Sequence, residues 1–316
     1  MATSGVSTFN ATRQEIIRAA LRKLGVIDAG VSPDAQTMTD AAFSLNAMIK
    51  RWQARGIHVW TTEEATLFLQ PGEYEYDLGS SSTDHATRSY VATTLSAAEA
   101  AGQTILSITS ATGISSGDNI GVVLDSGSIH WSTVSGAPGA TVTIAAALPS
   151  AAASGNAVYA YTSKIVRPLK IVAARRYVFS TALETDLGRP LARLDYRALP
   201  NKTQRGTVSQ FFYDPRGGAT ALGRLHLWPA PSAATEAIKF TWHRPIEDMS
   251  SQSDNPDLPQ EWIDTMVFNL AVSMAPEYSV PPATFAMVKG LADEYLDTMS
   301  GLDREPESID FGLDHG

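Results

Sequence analysis

Helical periodicity marks both ends of this chain and strand periodicity its middle, and that change of period limits the possible folds more than any other feature. Thr12-Arg13-Gln14-Glu15 reads as a capping box, in which the threonine hydroxyl and the glutamate satisfy backbone N–H groups at a helix start. Ile16, Ile17, Ala20, Leu21 and Leu24 then recur at helical spacing, and Gly25 supplies a stop. A second helix is predicted from Ser32-Pro33, with serine as cap and proline in the first turn. It carries Leu45, Met48, Ile49 and Trp52 on one face and ends before Gly56. Neither stripe can be buried alone, so the two predict a helical hairpin. Residues 261–274 and 283–299 predict two further amphipathic helices, broken by Pro276 and Pro281-Pro282.

Between these ends the period falls to two. Residues 66–69 and 73–78 flank Gln70-Pro71-Gly72, a turn between strand-like runs. After a small, polar linker at 79–84, residues 86–162 become rich in Ala, Ser, Thr, Gly and Val and poor in charge. Short strands are predicted there at 105–108, 119–124, 129–134, 141–144 and 157–161, the spacing of a small all-β module. Helix and strand patterns resume on both sides, so the module reads as an insertion into an exposed loop. Residues 165–178 suit a strand or a helix, and their Val, Ile, Tyr and Phe favour the strand. A helical turn at 194–199 and strands at 208–213, 223–228 and 237–242 follow. The expected fold class is α+β: a helical bundle packed with an antiparallel β-sheet, plus an inserted small all-β domain. The expected domains are a discontinuous one of residues 1–84 and 164–301, the insert at 85–163, and an extended acidic C-terminal arm at 302–316.

Composition removes several chemistries. The absence of cysteine excludes disulfides, thiolate metal sites and cysteine nucleophiles. Met1-Ala2-Thr3-Ser4-Gly5 has neither a basic start nor an apolar core, so folding in the cytoplasm is expected, and no apolar run approaches the ~20 residues that span a bilayer. The net charge of −9 is unevenly spread. Residues 1–163 carry 8 Lys/Arg against 13 Asp/Glu, residues 164–205 carry 10 against 3, and residues 206–316 carry 6 against 17. The basic band is either a solvated surface or an interface with an acidic partner or DNA phosphates. Arg167, Lys170, Arg175 and Arg176 are its candidate contact residues. In the acidic C-terminal stretch, Ile309, Phe311 and Leu313 alternate with acidic or small residues. That composition suits a disordered tail, and the alternation suits an arm adding to a partner's sheet.

No catalytic, cofactor-binding or metal-ligating set is expected. The six histidines never fall at i, i+3 or i, i+4, and His58, His130 and His226 sit beside apolar residues in strand-like runs, as structural histidines do. No Gly-x-Ser-x-Gly elbow or phosphate-cradling glycine loop occurs. Glu63-Glu64 and Asp293-Glu294 read as solvated pairs. The loop 247–257 holds Asp248, Asp254 and Asp257 but lacks the spacing and terminal glutamate of an EF-hand, so a plain polar loop is favoured over a calcium site.

Several runs carry a resemblance. They are Leu45-Asn46-Ala47-Met48-Ile49-Lys50-Arg51-Trp52-Gln53-Ala54-Arg55-Gly56-Ile57, the strand pair of 60–77, Leu199-Pro200-Asn201-Lys202-Thr203, and Gln210-Phe211-Phe212-Tyr213-Asp214-Pro215. Gly223-Arg224-Leu225-His226-Leu227-Trp228-Pro229, Arg244-Pro245-Ile246-Glu247-Asp248 with Leu258-Pro259-Gln260-Glu261-Trp262, Leu270-Ala271, and Ala275-Pro276-Glu277-Tyr278 complete the set. Together they resemble the head-to-tail adaptor (tail accessory, or head completion) proteins of short-tailed bacteriophages, over most of residues 10–80 and 164–300; the inserted module departs from the smaller members. The resemblance implies a non-enzymatic virion protein at the head–tail junction, a homo-oligomeric ring of about twelve copies. Its implied partners are the portal protein and tail nozzle or tail-fibre proteins, with genomic DNA passing through the central channel without sequence-specific binding and with no membrane involved. It also implies that the C-terminal segment reaches the portal. Two other classes stay open: an envelope-degrading glycan hydrolase, which needs two opposed carboxylates about 5–10 Å apart, and a glycan- or receptor-binding module in residues 86–162.

Overall fold

The computed structural model describes residues 9–57, 59–216 and 222–302. Among the described residues the chain is mostly β, with sixteen strands in four sheets and five α-helices. It divides into two compact units, Met1–Thr61 with Ile246–Gly316, and Thr62–Pro245. The expected α+β arrangement, a helical bundle packed with an antiparallel β-sheet, is corrected by this distribution. The helices of the first unit bury their stripes on one another, and the strands of the second have cores of their own. An amphipathic stripe requires a cover without specifying which element supplies it.

The helices are α1 (Arg13–Lys23), α2 (Ala35–Ala54), α3 (Arg193–Ala198), α4 (Ile263–Met274) and α5 (Pro282–Leu302). In the first unit α4 packs against α1, α2 and α5. It can do so because Ile263, Met266, Val267, Phe268, Leu270, Ala271 and Met274 leave it apolar nearly all round. Trp52 of α2 meets Trp262, just before α4, with ring centroids 5.6 Å apart. The capping box on α1 forms, with Thr12 N–H donating to Glu15 Oε2 at 2.8 Å and Glu15 N–H to Thr12 Oγ1 at 3.4 Å. The predicted start of α2 is corrected: Asp34, not Ser32, is the cap, because its carboxylate accepts both the N–H and the hydroxyl of Thr37. The segment after Ile246 is strapped to α2 by Asn46, whose amide accepts from and donates to the Met249 backbone at 3.2 Å each.

The second unit begins with β1 (Thr62–Phe68), β2 (Glu75–Leu78) and β3 (Ala86–Thr87). It continues through β4 (Val91–Thr94), β5 (Ile105–Ser107), β6 (Asn119–Val123), β7 (Ile129–Ser135), β8 (Thr141–Ile144) and β9 (Ala157–Tyr161). Then come β10 (Lys170–Val178), β11 (Leu183–Asp186), β12 (Arg205–Gly206), β13 (Gln210–Asp214), β14 (Gly223–Trp228), β15 (Ala230–Pro231) and β16 (Glu236–His243). A five-stranded sheet, β11-β10-β16-β1-β3, and a three-stranded one, β13-β14-β2, share a core that includes Leu67, Phe240 and Trp242 from the first and Tyr76, Phe211 and Leu227 from the second. Gly223 has no room for a side chain: a Cβ there would lie 2.0 Å from Tyr213 Oη, which is held by its bond to the Pro168 carbonyl.

The six-stranded sheet runs β4-β9-β6-β7-β8-β5. Its two edges meet through the Leu95↔Ile108 bridge, where Ser96 N–H donates to Ser107 O and Thr109 N–H to Thr94 O, both at 2.9 Å. This closes the sheet into a small barrel, and closure removes the exposed edges that invite foreign strands. Alternation along β6 and β9 sends Ile120, Val122, Val158 and Ala160 inward, and Gly121, Tyr159 and Tyr161 outward. The outward set meets Phe68 at the end of β1, whose ring lies 4.9 Å from Tyr159 and 5.1 Å from Trp131. Gln70 completes the joint by pairing with Ile129 as a strand would, donating to its carbonyl at 2.7 Å and accepting from its N–H at 3.0 Å.

Candidate functional site

The basic band does not form one patch. A bulge in β10 between Ile171 and Ala173 shifts the alternation, so that Ile171 and Ala174 both face the core and Arg175 faces outward. Arg175 is engaged by Glu64 of β1 and, at 3.1 Å, by Glu184 of β11. Arg176 lies on the opposite face, paired with Glu236 at 3.0 Å. Arg167 donates to the carbonyls of Pro215 and Arg216 at 2.7 and 3.1 Å. Lys170 opens β10, is exposed, and forms no ion pair among the described residues. Ile309, Phe311 and Leu313 lie outside the described residues.

Around Arg175 the outer face of the five-stranded sheet carries a ladder of opposite charges. Lys239 of β16 reaches Glu184 at 2.7 Å and sits 3.8 Å above the Tyr177 ring. Beside this ladder opens a cleft of about 300 Å³ lined by Glu64, Thr66, Arg88, Ser89, Tyr90 and Lys239. Arg88 is held at 3.1 Å by Glu63, which also accepts from Arg244 at 2.9 Å. The solvated Glu63-Glu64 pair expected from sequence is thus two residues with different partners, because adjacent side chains on a strand point to opposite faces. The cleft has no signature in the sequence, because its lining comes from β1, β16 and the stretch after β3, which no local motif links.

A second constellation joins three of the runs that carry the resemblance. Tyr196 of α3 stacks on Phe212 of β13 at 5.5 Å and leans on His226 of β14 at 4.9 Å. Trp228 donates to the carbonyls of Pro200 and Asn201 at 3.2 and 3.4 Å, and Lys202 covers the Tyr196 ring at 4.6 Å. His226 Nδ1 stands 3.4 Å from Glu75 Oε1. Burial lowers the imidazole pKa despite that carboxylate.

The most perturbed carboxyls are Glu73 and Asp84, which hydrogen-bond to each other. Asp84 also accepts the Asp77 N–H at 2.5 Å. Direct contact leaves no room for the substrate and water that a glycan hydrolase places between its two carboxyls. Burial first, and then the Asp84 charge, raise Glu73 to about 7. Burial also raises Asp84. His85 stacks on Trp131 at 3.9 Å and contacts the Tyr161 hydroxyl, and burial lowers it to about 3. The two shifts act in opposite directions on stability. Glu73 binds its proton more tightly when folded, so its contribution is present below about pH 4.5 and is lost as pH rises through 7. His85 binds its proton less tightly when folded, so stability is lost as pH falls from 6.5 toward 3. Between pH 4.5 and 6.5 the two oppose each other, so together they tilt the wild-type stability profile little. Relative to wild type in urea unfolding, Glu73→Gln should tilt the profile toward loss on acidification and His85→Gln toward loss on rising pH, each by up to about 1 kcal/mol per pH unit. Profiles parallel to wild type for both variants would refute the assignment.

The loop acids are tied to their own backbone and neighbours: Asp254 accepts the Ser251 N–H, Asp257 accepts the Glu247 N–H, and Asp248 pairs with Lys50. No group of three or more His, Asp or Glu among the described residues is arranged to hold a metal ion. Neither a scan against protein-family models nor a search of curated proteins returns a match for this chain.

Proposed function

We propose that this chain is a structural head-to-tail adaptor subunit of a short-tailed phage, assembling as a ring beneath the portal, continuing the DNA channel and presenting a platform for further tail proteins. The joint around Tyr196 carries the reading. Three separate resembling runs, at 199–203, 210–215 and 223–229, converge there on stacking and backbone hydrogen bonds. The ion-paired face of the five-stranded sheet supports the same reading, since paired charges give a surface polarity without leaving a reactive group.

The test is assembly. Mixed with its portal, the purified protein should co-elute as a large complex by size exclusion with mass measurement and appear as an added ring in negative stain. A protein that stays monomeric in the presence of portal would sink the proposal. Arg175 and Arg176 are poor probes of the interface, because reversing either charge would place a carboxylate beside Glu64, Glu184 or Glu236. Lys170→Glu is the clean probe: its melting temperature should match wild type while portal association weakens.

A further inference from the structure

We propose that the cleft between β1, β16 and the 88–90 stretch is a binding site for a neutral saccharide, a role that goes beyond ring assembly. The charged groups of the cleft are already engaged. Glu64 is bonded by Arg175, Arg88 by Glu63, and Lys239 by Glu184. Arg88, Arg175, Lys239 and Arg244 are met by Glu63, Glu64, Glu184 and Asp186, four charges of each sign, so the cleft has little excess charge with which to draw an ion. Its neutral groups are not engaged. The hydroxyls of Thr66, Ser89 and Tyr90 make no hydrogen bond among the described residues, although Thr66 is only 6 % exposed. Each hydroxyl can both donate and accept, which matches the hydroxyls of a sugar better than it matches a phosphate or an ammonium.

The remaining wall is aromatic. Tyr90 is braced edge-on by Phe68, Tyr159 and Phe179, at 5.2, 6.0 and 6.3 Å, so its ring is held in place before any ligand arrives. A fixed ring beside converging hydroxyls suits the C–H face of a pyranose, with Glu64 and Arg88 keeping spare lone pairs and N–H groups for its rim. A volume of about 300 Å³ lies at the lower end of small-molecule sites and fits a short saccharide better than an extended chain.

The experiment is saturation-transfer NMR on the full-length protein with glucose, galactose, rhamnose and N-acetylglucosamine as separate probes, and with inorganic phosphate as a competitor. At least one sugar should bind, with phosphate failing to displace it. Thr66→Val and Ser89→Ala should each weaken binding about 3- to 10-fold, the effect of one lost hydrogen bond. Ser89 is exposed, so its variant tests the site even if Thr66→Val disturbs β1. No transfer to any of the four sugars, displacement by phosphate, or sugar binding untouched by both substitutions would each overturn the proposal.

Discussion

Phe68→Ala is expected to cost the strand-rich unit about 3–5 kcal/mol. Phe68 is 2 % exposed and forms the centre of an aromatic cluster, with Tyr90, Trp131, Tyr159, Tyr161 and Phe179 all within 6.3 Å of its ring centroid. Alanine would leave a cavity walled by rigid rings, which cannot collapse inward as flexible aliphatic chains do. The five-stranded sheet would keep its backbone bonds, while the barrel would be held to it by Gln70, the His85 contacts and the Phe179 ring, which meets Tyr159 at 4.6 Å. Hydrogen exchange is the readout: protection should fall in peptides from 62–245, most of all at β6, β7 and β9, and hold in α1, α2 and α4. A loss below about 1 kcal/mol in urea unfolding would show that the cluster does not hold the barrel. The effects of Phe68→Ala and Gln70→Ala should not be additive, since both residues hold one joint.

Trp262→Ala should be as damaging in the helical unit, again by about 3–5 kcal/mol. Trp262 is 1 % exposed, enters α4 through a turn closed by its N–H to the Pro259 carbonyl at 3.0 Å, and leans on Trp52. The substitution therefore empties the place where α2 meets the start of the central helix. Trp262→Phe, which retains an aromatic ring, should cost less than half as much. Equal effects for the two variants would mean that the loss comes from the indole N–H and not from volume. Here protection should fall in α2 and α4 and hold in the barrel.

These two positions also show where a sequence is readable. Trp262 follows Leu258-Pro259 and precedes a strongly apolar helix, so its burial is legible from local pattern. Phe68 looks like any apolar strand residue, and nothing within ten positions marks it as the centre of a joint. Its partners come from β7, β9 and segments that end at residues 90 and 179, brought together only when the barrel closes. The Arg175-Arg176 pair is similar. Two adjacent arginines read as one basic patch, but strand alternation after the β10 bulge places them on opposite faces with separate carboxylate partners.

The amino-acid order alone determined the capping box of α1, most strand positions and the turns, because caps, hydrophobic period and Gly or Pro punctuation act over a few residues, although the cap of α2 fell to Asp34 and not to the expected Ser32. It also excluded every chemistry that depends on cysteine. Tertiary structure decided what each stripe packs against: helix on helix in one unit, sheet on sheet and a closed barrel in the other, where an α+β packing was expected. It likewise decided which charges are paired and which hydroxyls line a cleft. Those outcomes depend on residues far apart in the chain, and periodicity specifies that a face must be buried without specifying its partner.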